Sequence, residues 1–291
     1  MPLDQELNED YGEKEMSFLD HLEELRWHII RSLIAIAIFM VLGFVFVDFV
    51  FNQILLAPAS KDFATWKGLC ALGEAIGKPQ LCIDDIKLEL QSRYMTGQFT
   101  ITIVSGLIIG LVMAFPYVAW EMWRFISPGL KRGERKGSRG IVAAISLLFA
   151  AGISFGYYVI APLMVYFMVS YQLSPMIRNE FDITSYVSTL VTLVLGSGLL
   201  FQLPVVVYFL SKIGMLTPQF LRKYRKHSIV VLLIIAAIIT PPDPLSQTLI
   251  FIPLYLLFEV SILISARVQK KRLKAEELER LEEEKARASK S

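Results

Sequence analysis

The chain has 291 residues, of which 54% are hydrophobic and 19% charged, with a formal net charge of +2. Charges gathered into short blocks between long apolar runs exclude a soluble globular domain and mark a multi-span membrane protein. The near-neutral balance also argues against a nucleic-acid binder.

The opening "MPLDQELNEDYGEKE" is acidic and lacks the basic and apolar regions of a signal peptide, so no cleaved leader is expected and residues 1–16 form a polar N-terminal segment. Next, "SFLDHLEELRWHII" reads as an amphipathic surface helix leading into the first span, with Ser17 as N-cap. Phe18, Leu22, Leu25 and Ile29 share its apolar face, while Asp20, Glu23 and Glu24 face away. These acids either complement the helix N-terminus and pair with Arg26, or meet something outside the chain.

Runs free of Asp, Glu, Lys and Arg cover Ser32–Val47, Phe99–Trp120, Ile141–Ile177, Ile183–Ser211, Ser228–Pro242 and Pro244–Phe258. A bilayer core needs about 20 helical residues, which the middle runs supply easily. The last two runs are short and separated by "PPDP", so they form either two short spans or a re-entrant pair. An extracytoplasmic insertion at about residues 57–96 holds Cys70 and Cys82, either bridged or as two free thiols. Basic residues crowd the second-to-third and fourth-to-fifth connections, which puts both termini in the cytoplasm. The expected organisation is therefore an all-α, six-span membrane domain over 17–266 with short fifth and sixth helices. A charged cytoplasmic tail over 267–291 follows, its basic start suited to anionic lipid headgroups.

Few polar groups are left to carry chemistry. Glu134 is one acid among six basic residues between Arg124 and Arg139. It either pairs locally with Arg132 or Arg135, or joins Glu23 and Glu24 in an anionic site that selects a guanidinium. Within the membrane, Gln202 precedes Pro204 and is expected to satisfy the carbonyl that proline frees one turn earlier. Glu259 is the carboxylate of the sixth span. The three histidines, His21, His28 and His227, have no metal-ligand spacing, and no nucleophile elbow or phosphate loop is present, so neither enzyme activity, cofactor nor metal is expected.

"HLEELRWHI", "EMWRFISPGLKRGERKG", "FGYYVIAPLMVYF", "SYVSTLVTLVLGSGLLFQLPVVV" and "TPPDPLSQTLIFIPLYLLFEVSI" together resemble the TatC family, the receptor subunits of twin-arginine protein translocases. The resemblance runs from about Phe18 to Arg267. It implies a concave, glove-like bundle in the bacterial cytoplasmic (inner) membrane, without catalysis, that binds the twin-arginine signal peptides of folded cargo proteins. The binding acids correspond to Glu24 and Glu134, with Glu23 and Arg26 in support. It further implies docking of single-span TatA/TatB-type subunits near Thr240 and Gln247, homo-oligomers within a receptor complex, and export driven by the proton motive force. Gln202 departs from the glutamate that many relatives carry there, and the first outer loop is longer than the family pattern. Two other classes compete: a transporter of a small cationic solute using Gln202 and Glu259 near the midplane, and a ligand-free scaffold.

Overall fold

The computed structural model describes residues 18–78, 82–83, 86, 88–127, 138–174, 176–240 and 244–288. The first element is one unbroken helix, Phe18–Val45, so the expected surface helix and the first span are continuous. Ser17 lies outside the described residues. The helix turns its faces opposite to a soluble amphipathic helix. Leu22, Ile29, Leu33 and Ile34 are exposed, whereas His28 and Ser32 are buried and Glu24 is half-buried. Lipid tails solvate leucine as well as a protein core does, so the apolar face has no drive inward and the polar stripe at i, i+4, i+8 becomes the helix contact.

That contact is made with the second span, Gly97–Ile126, which runs antiparallel to the first along its length. Gly106 and Gly110 lie one turn apart on the shared face. A Cβ on Gly110 would lie 2.7 Å from the Ile36 carbonyl oxygen and 2.9 Å from the Met40 nitrogen, so the two backbones touch. The third span comprises Ser138–Phe155, a π-helical turn at Gly156–Ile160, and Ala161–Ser170. Pro162 has no N–H for the Tyr158 carbonyl, and the Thr65 hydroxyl of the first outer loop donates there instead.

The fourth span, Ile183–Leu200 and Leu203–Lys212, is interrupted just before Pro204. A short helix, Pro218–Lys223, leads to the fifth helix, Arg225–Ile239. The fifth helix has 15 residues, about 22 Å at the usual rise. Among the described residues, five other helical stretches are long and apolar enough to cross a bilayer. One expectation needs changing. The sixth helix is not short: it runs 45 residues, Pro244–Ala288, straight across the anticipated boundary at residue 267. Its tail is rich in Ala, Leu, Glu, Lys and Arg with no Gly or Pro, so nothing in it stops a helix. The "PPD" of the preceding turn, residues 241–243, is outside the described residues.

The first outer loop folds, because it finds apolar partners on the third span. Within it, Ala64–Ala75 is helical and Cys70 and Cys82 are joined by a disulfide. Phe63 stacks on Tyr158, and Trp66, 3% exposed, packs against Tyr166. Further along, strand β1 (Leu90–Gln91) pairs in parallel with β2 (Phe181–Asp182), which no sequence pattern announced.

Asp182 ties this cap to the fourth span. Its Oδ1 accepts from the Thr184 and Ser185 amides as the N-cap, and its Oδ2 accepts from the Arg93 amide across the strand pair at 3.2 Å. The Thr184 hydroxyl beside it, then these backbone N–H groups, hold its carboxyl below the usual range. A group with a depressed folded pKa contributes stability that is present above its unfolded value, about 3.9, and lost as pH falls through the folded value. Amide exchange at Arg93 and Thr184 should therefore quicken, beyond the intrinsic rate, as pH drops below about 4. Asp182→Asn should flatten that extra acid dependence; an unchanged profile would show that Asp182 does not hold the cap.

Candidate functional site

Antiparallel packing of the first two spans brings the start of one beside the end of the other, and the polar groups of both collect there. Glu24, in the second turn of the first helix, has a side chain 37% exposed, with Oε1 at 3.9 Å from His28 Nε2. Its Oε2 is buried and has no hydrogen-bond partner. One turn on, the His28 side chain is 5% exposed, and its Nδ1 meets Oε2 of Glu121 from the second span.

Glu121 is 1% exposed and accepts a 2.9 Å hydrogen bond from the Tyr117 hydroxyl. Arg31 and Arg124 each place a guanidinium nitrogen 3.9 Å from its oxygens. A buried carboxylate without such partners would be costly by several kcal/mol. Tyr117 and Glu121 share a helix face at i, i+4 spacing, and Phe125, one turn further, sets its ring edge-on to His28 with centroids 6.2 Å apart.

Glu121 is met by His28, Tyr117, Arg31 and Arg124, whereas Glu24 is part-exposed and its buried Oε2 has no hydrogen-bond partner. Arg31 and Arg124, each about half-exposed, supply positive charge beside Glu121. Arg26 lies 3.6 Å from Glu23, both exposed, and rests over the Trp27 ring at 5.5 Å. An exposed pair of this kind contributes little. Glu134 lies outside the described residues.

The intramembrane candidates are otherwise engaged. Gln202 donates from Nε2 to the Ile145 carbonyl of the third span at 3.2 Å, not to a carbonyl of its own helix, because the chain turns at Phe201–Gln202 and aims the amide across the interface. Its Oε1 is buried and unpartnered. Glu259 accepts from Arg225 at 2.7 Å and from the Tyr255 hydroxyl at 3.0 Å. A carboxylate already paired to an arginine gives a cationic solute no vacant counter-charge, which weakens the transporter reading.

At the opposite end of the bundle, Thr240 is buried and its hydroxyl donates to the Ala236 carbonyl of its own helix. Gln247 is half-buried and donates to the Leu233 carbonyl at 3.3 Å, linking the sixth helix to the fifth.

Glu121 and His28 were not singled out from the sequence. Glu121 falls one residue beyond the charge-free run ending at Trp120, where an acid passes for a boundary residue. Two signals pointed to them: the i, i+4 spacing of Glu24 and His28, and that of Tyr117 and Glu121.

The family model described as "Sec-independent protein translocase protein (TatC)" matches residues 20–253. Among curated proteins, the Sec-independent protein translocase protein TatC of Blattabacterium sp. subsp. Periplaneta americana is 38% identical over 260 residues, covering 89% of this chain and 98% of the relative. TatCy of Bacillus subtilis is 34% identical, covering 91% of this chain and 95% of its own length. Among solved structures, a crystal structure of the twin-arginine translocase receptor TatC in the detergent DDM superposes with a TM-score of 0.67 at 32% identity. That match covers 84% of this chain and 99% of the crystallised one. With the family model matching most of the chain and relatives of 38% and 34% identity covering about nine-tenths of it, the chain belongs to the TatC family of Sec-independent protein translocase proteins.

Proposed function

We propose that this chain is the receptor of a twin-arginine translocase, capturing the paired arginines of a signal peptide through Glu24 and Glu134 at the cytoplasmic face of the bacterial inner membrane. The observation that carries this reading is Glu24 itself. Its side chain is 37% exposed, has no hydrogen-bonded partner on its buried Oε2, and lies one turn before the His28–Glu121 contact that Arg31 and Arg124 flank. A carboxylate so placed attracts a guanidinium, the cation whose planar fork matches it best.

Glu23, already beside Arg26, and Arg26 itself support the site at its edge. Both termini lie on the cytoplasmic side, which places the disulfide-stapled cap outside, where thiols oxidise. The short fifth helix leaves a thin flank of the bundle, and single-span TatA/TatB-type subunits dock there, near Thr240 and Gln247, within a homo-oligomeric receptor complex. Export draws on the proton motive force, and the chain performs no catalysis of its own.

The test is site-specific crosslinking in membranes. A photoreactive residue at position 24 should capture a twin-arginine precursor, and one at 247 a single-span subunit. Replacing the peptide's Arg-Arg by Lys-Lys should abolish the first crosslink and spare the second. If position 24 captures both precursors equally, the receptor reading of Glu24 is wrong.

A further inference from the structure

We propose that Glu121 is a positioning residue for Glu24, acting through His28, and that this relay sets the preference for arginine over lysine in the bound peptide. The inference rests on the reading of Glu24 as the guanidinium-binding carboxylate, and goes beyond it by assigning a role to two side chains that cannot touch the peptide. Glu121 and His28 are 1% and 5% exposed at their side chains, so neither is a ligand contact.

The relay is read from its fixed end. Tyr117 donates to Glu121, and Arg31 and Arg124 flank it. A carboxylate so held only accepts, so the proton between it and His28 sits on Nδ1. That hydrogen bond locks the imidazole, with Phe125 against its edge, and turns Nε2 toward Glu24 Oε1 at 3.9 Å. The separation is too long for a hydrogen bond. The ring therefore acts as a wall on the Oε1 side of the Glu24 carboxylate.

What the wall supplies is orientation. A glutamate on a helix surface samples several rotamers, and holding it in one costs side-chain entropy. A guanidinium engages a carboxylate best in one plane, through two parallel N–H bonds, whereas an ammonium is a compact charge that accepts many approach angles. Loss of the wall should therefore penalise an Arg-Arg peptide far more than a Lys-Lys peptide. A merely structural pair would weaken both alike.

The experiment measures affinities of full-length chain in nanodiscs for two fluorescent synthetic signal peptides, identical but for Arg-Arg or Lys-Lys. The wild-type chain should favour Arg-Arg by roughly tenfold or more, as one well-formed charge-assisted contact implies. Glu121→Leu, which removes the acceptor, should cut the ratio to about threefold or less while Lys-Lys affinity stays within about twofold. Glu121→Gln keeps an acceptor for Nδ1–H and should restore the ratio. His28→Ala leaves Glu121 with Tyr117, Arg31 and Arg124 but removes the ring, so it should reproduce the loss even where Glu121→Leu folds poorly. Equal weakening of both peptides by Glu121→Leu and His28→Ala, or a wild-type ratio in His28→Ala, overturns the positioning role and leaves the receptor reading intact. A wild-type chain that does not distinguish the peptides overturns the receptor reading itself, and this inference with it.

Discussion

Gly110→Leu is expected to separate the first two spans and lower the thermal midpoint of the protein in mild detergent. The Cβ that any substitution adds would lie 2.7 Å from a carbonyl oxygen and 2.9 Å from a backbone nitrogen, and its third neighbour, the Met40 Cα at 3.1 Å, is also backbone. None of these is the end of a flexible side chain, so the helices themselves must move apart. Overpacking usually costs about 1–3 kcal/mol, and this clash should fall at or above the upper end. Both helices remain individually stable in the bilayer, since their backbone bonds are internal. The loss should therefore appear as a broken interface and not as unfolding of either span. Because Glu24 and Glu121 sit on opposite sides of that interface, binding of the Arg-Arg peptide should fall with the melting temperature. Gly140→Leu is the control, because a Cβ there meets nothing within 4 Å. A Gly110→Leu protein that melts with the wild type would refute the close backbone contact.

The contrast between these two glycines shows what sequence patterning conveys in a membrane protein. The long spans were legible because a bilayer imposes a length and tolerates few charges within it. Their packing was not, because hydrophobicity has no sidedness when lipid surrounds the bundle. For the first helix, the apolar face that Leu22, Leu25 and Ile29 share does not tell which side meets a neighbouring helix, and the structure buries His28 and Ser32 there. Small residues such as Gly106 and Gly110 carry that information, since interhelical van der Waals contact replaces hydrophobic burial.

Charge-free runs mislead again at the ends of helices. The sixth run stops at Phe258 because Glu259 follows, yet the helix continues, and Arg225 of the fifth helix compensates the acid. The same rule set Glu121 aside as the flank of the second span, although it is the most buried charge of the candidate site. Glu24 was legible through its place in a recognisable motif and its neighbours. Its supporting relay was not, since it joins residues 93 positions apart that only the antiparallel packing brings together. The outer cap was hidden for a similar reason. Phe63 and Trp66 look like isolated aromatics until Tyr157, Tyr158 and Tyr166 of the third span meet them.

Glu24→Ala should weaken binding of an Arg-Arg signal peptide by about 1.5–3 kcal/mol, the range for a hydrogen bond to a charged group. In affinity that is roughly 10- to 150-fold. The side chain is 37% exposed, so salt and water screen part of the attraction and the lower half of the range is the firmer expectation. Raising ionic strength should narrow the gap between wild type and variant, because the screened charge term is what the variant lacks. Glu24→Gln should be no better than alanine at low salt. Its amide turns two N–H donors toward a ligand that offers only donors, and the neighbouring His28 cannot accept both. Glu24→Asp should recover part of the affinity, because the charge is kept on a shorter stem that no longer aligns with the His28 ring. Titration calorimetry in nanodiscs against the Arg-Arg peptide measures all three, with melting curves to show that each variant is folded. Glu24→Ala binding at wild-type strength, in a protein that melts normally, would move the receptor site away from the first helix altogether.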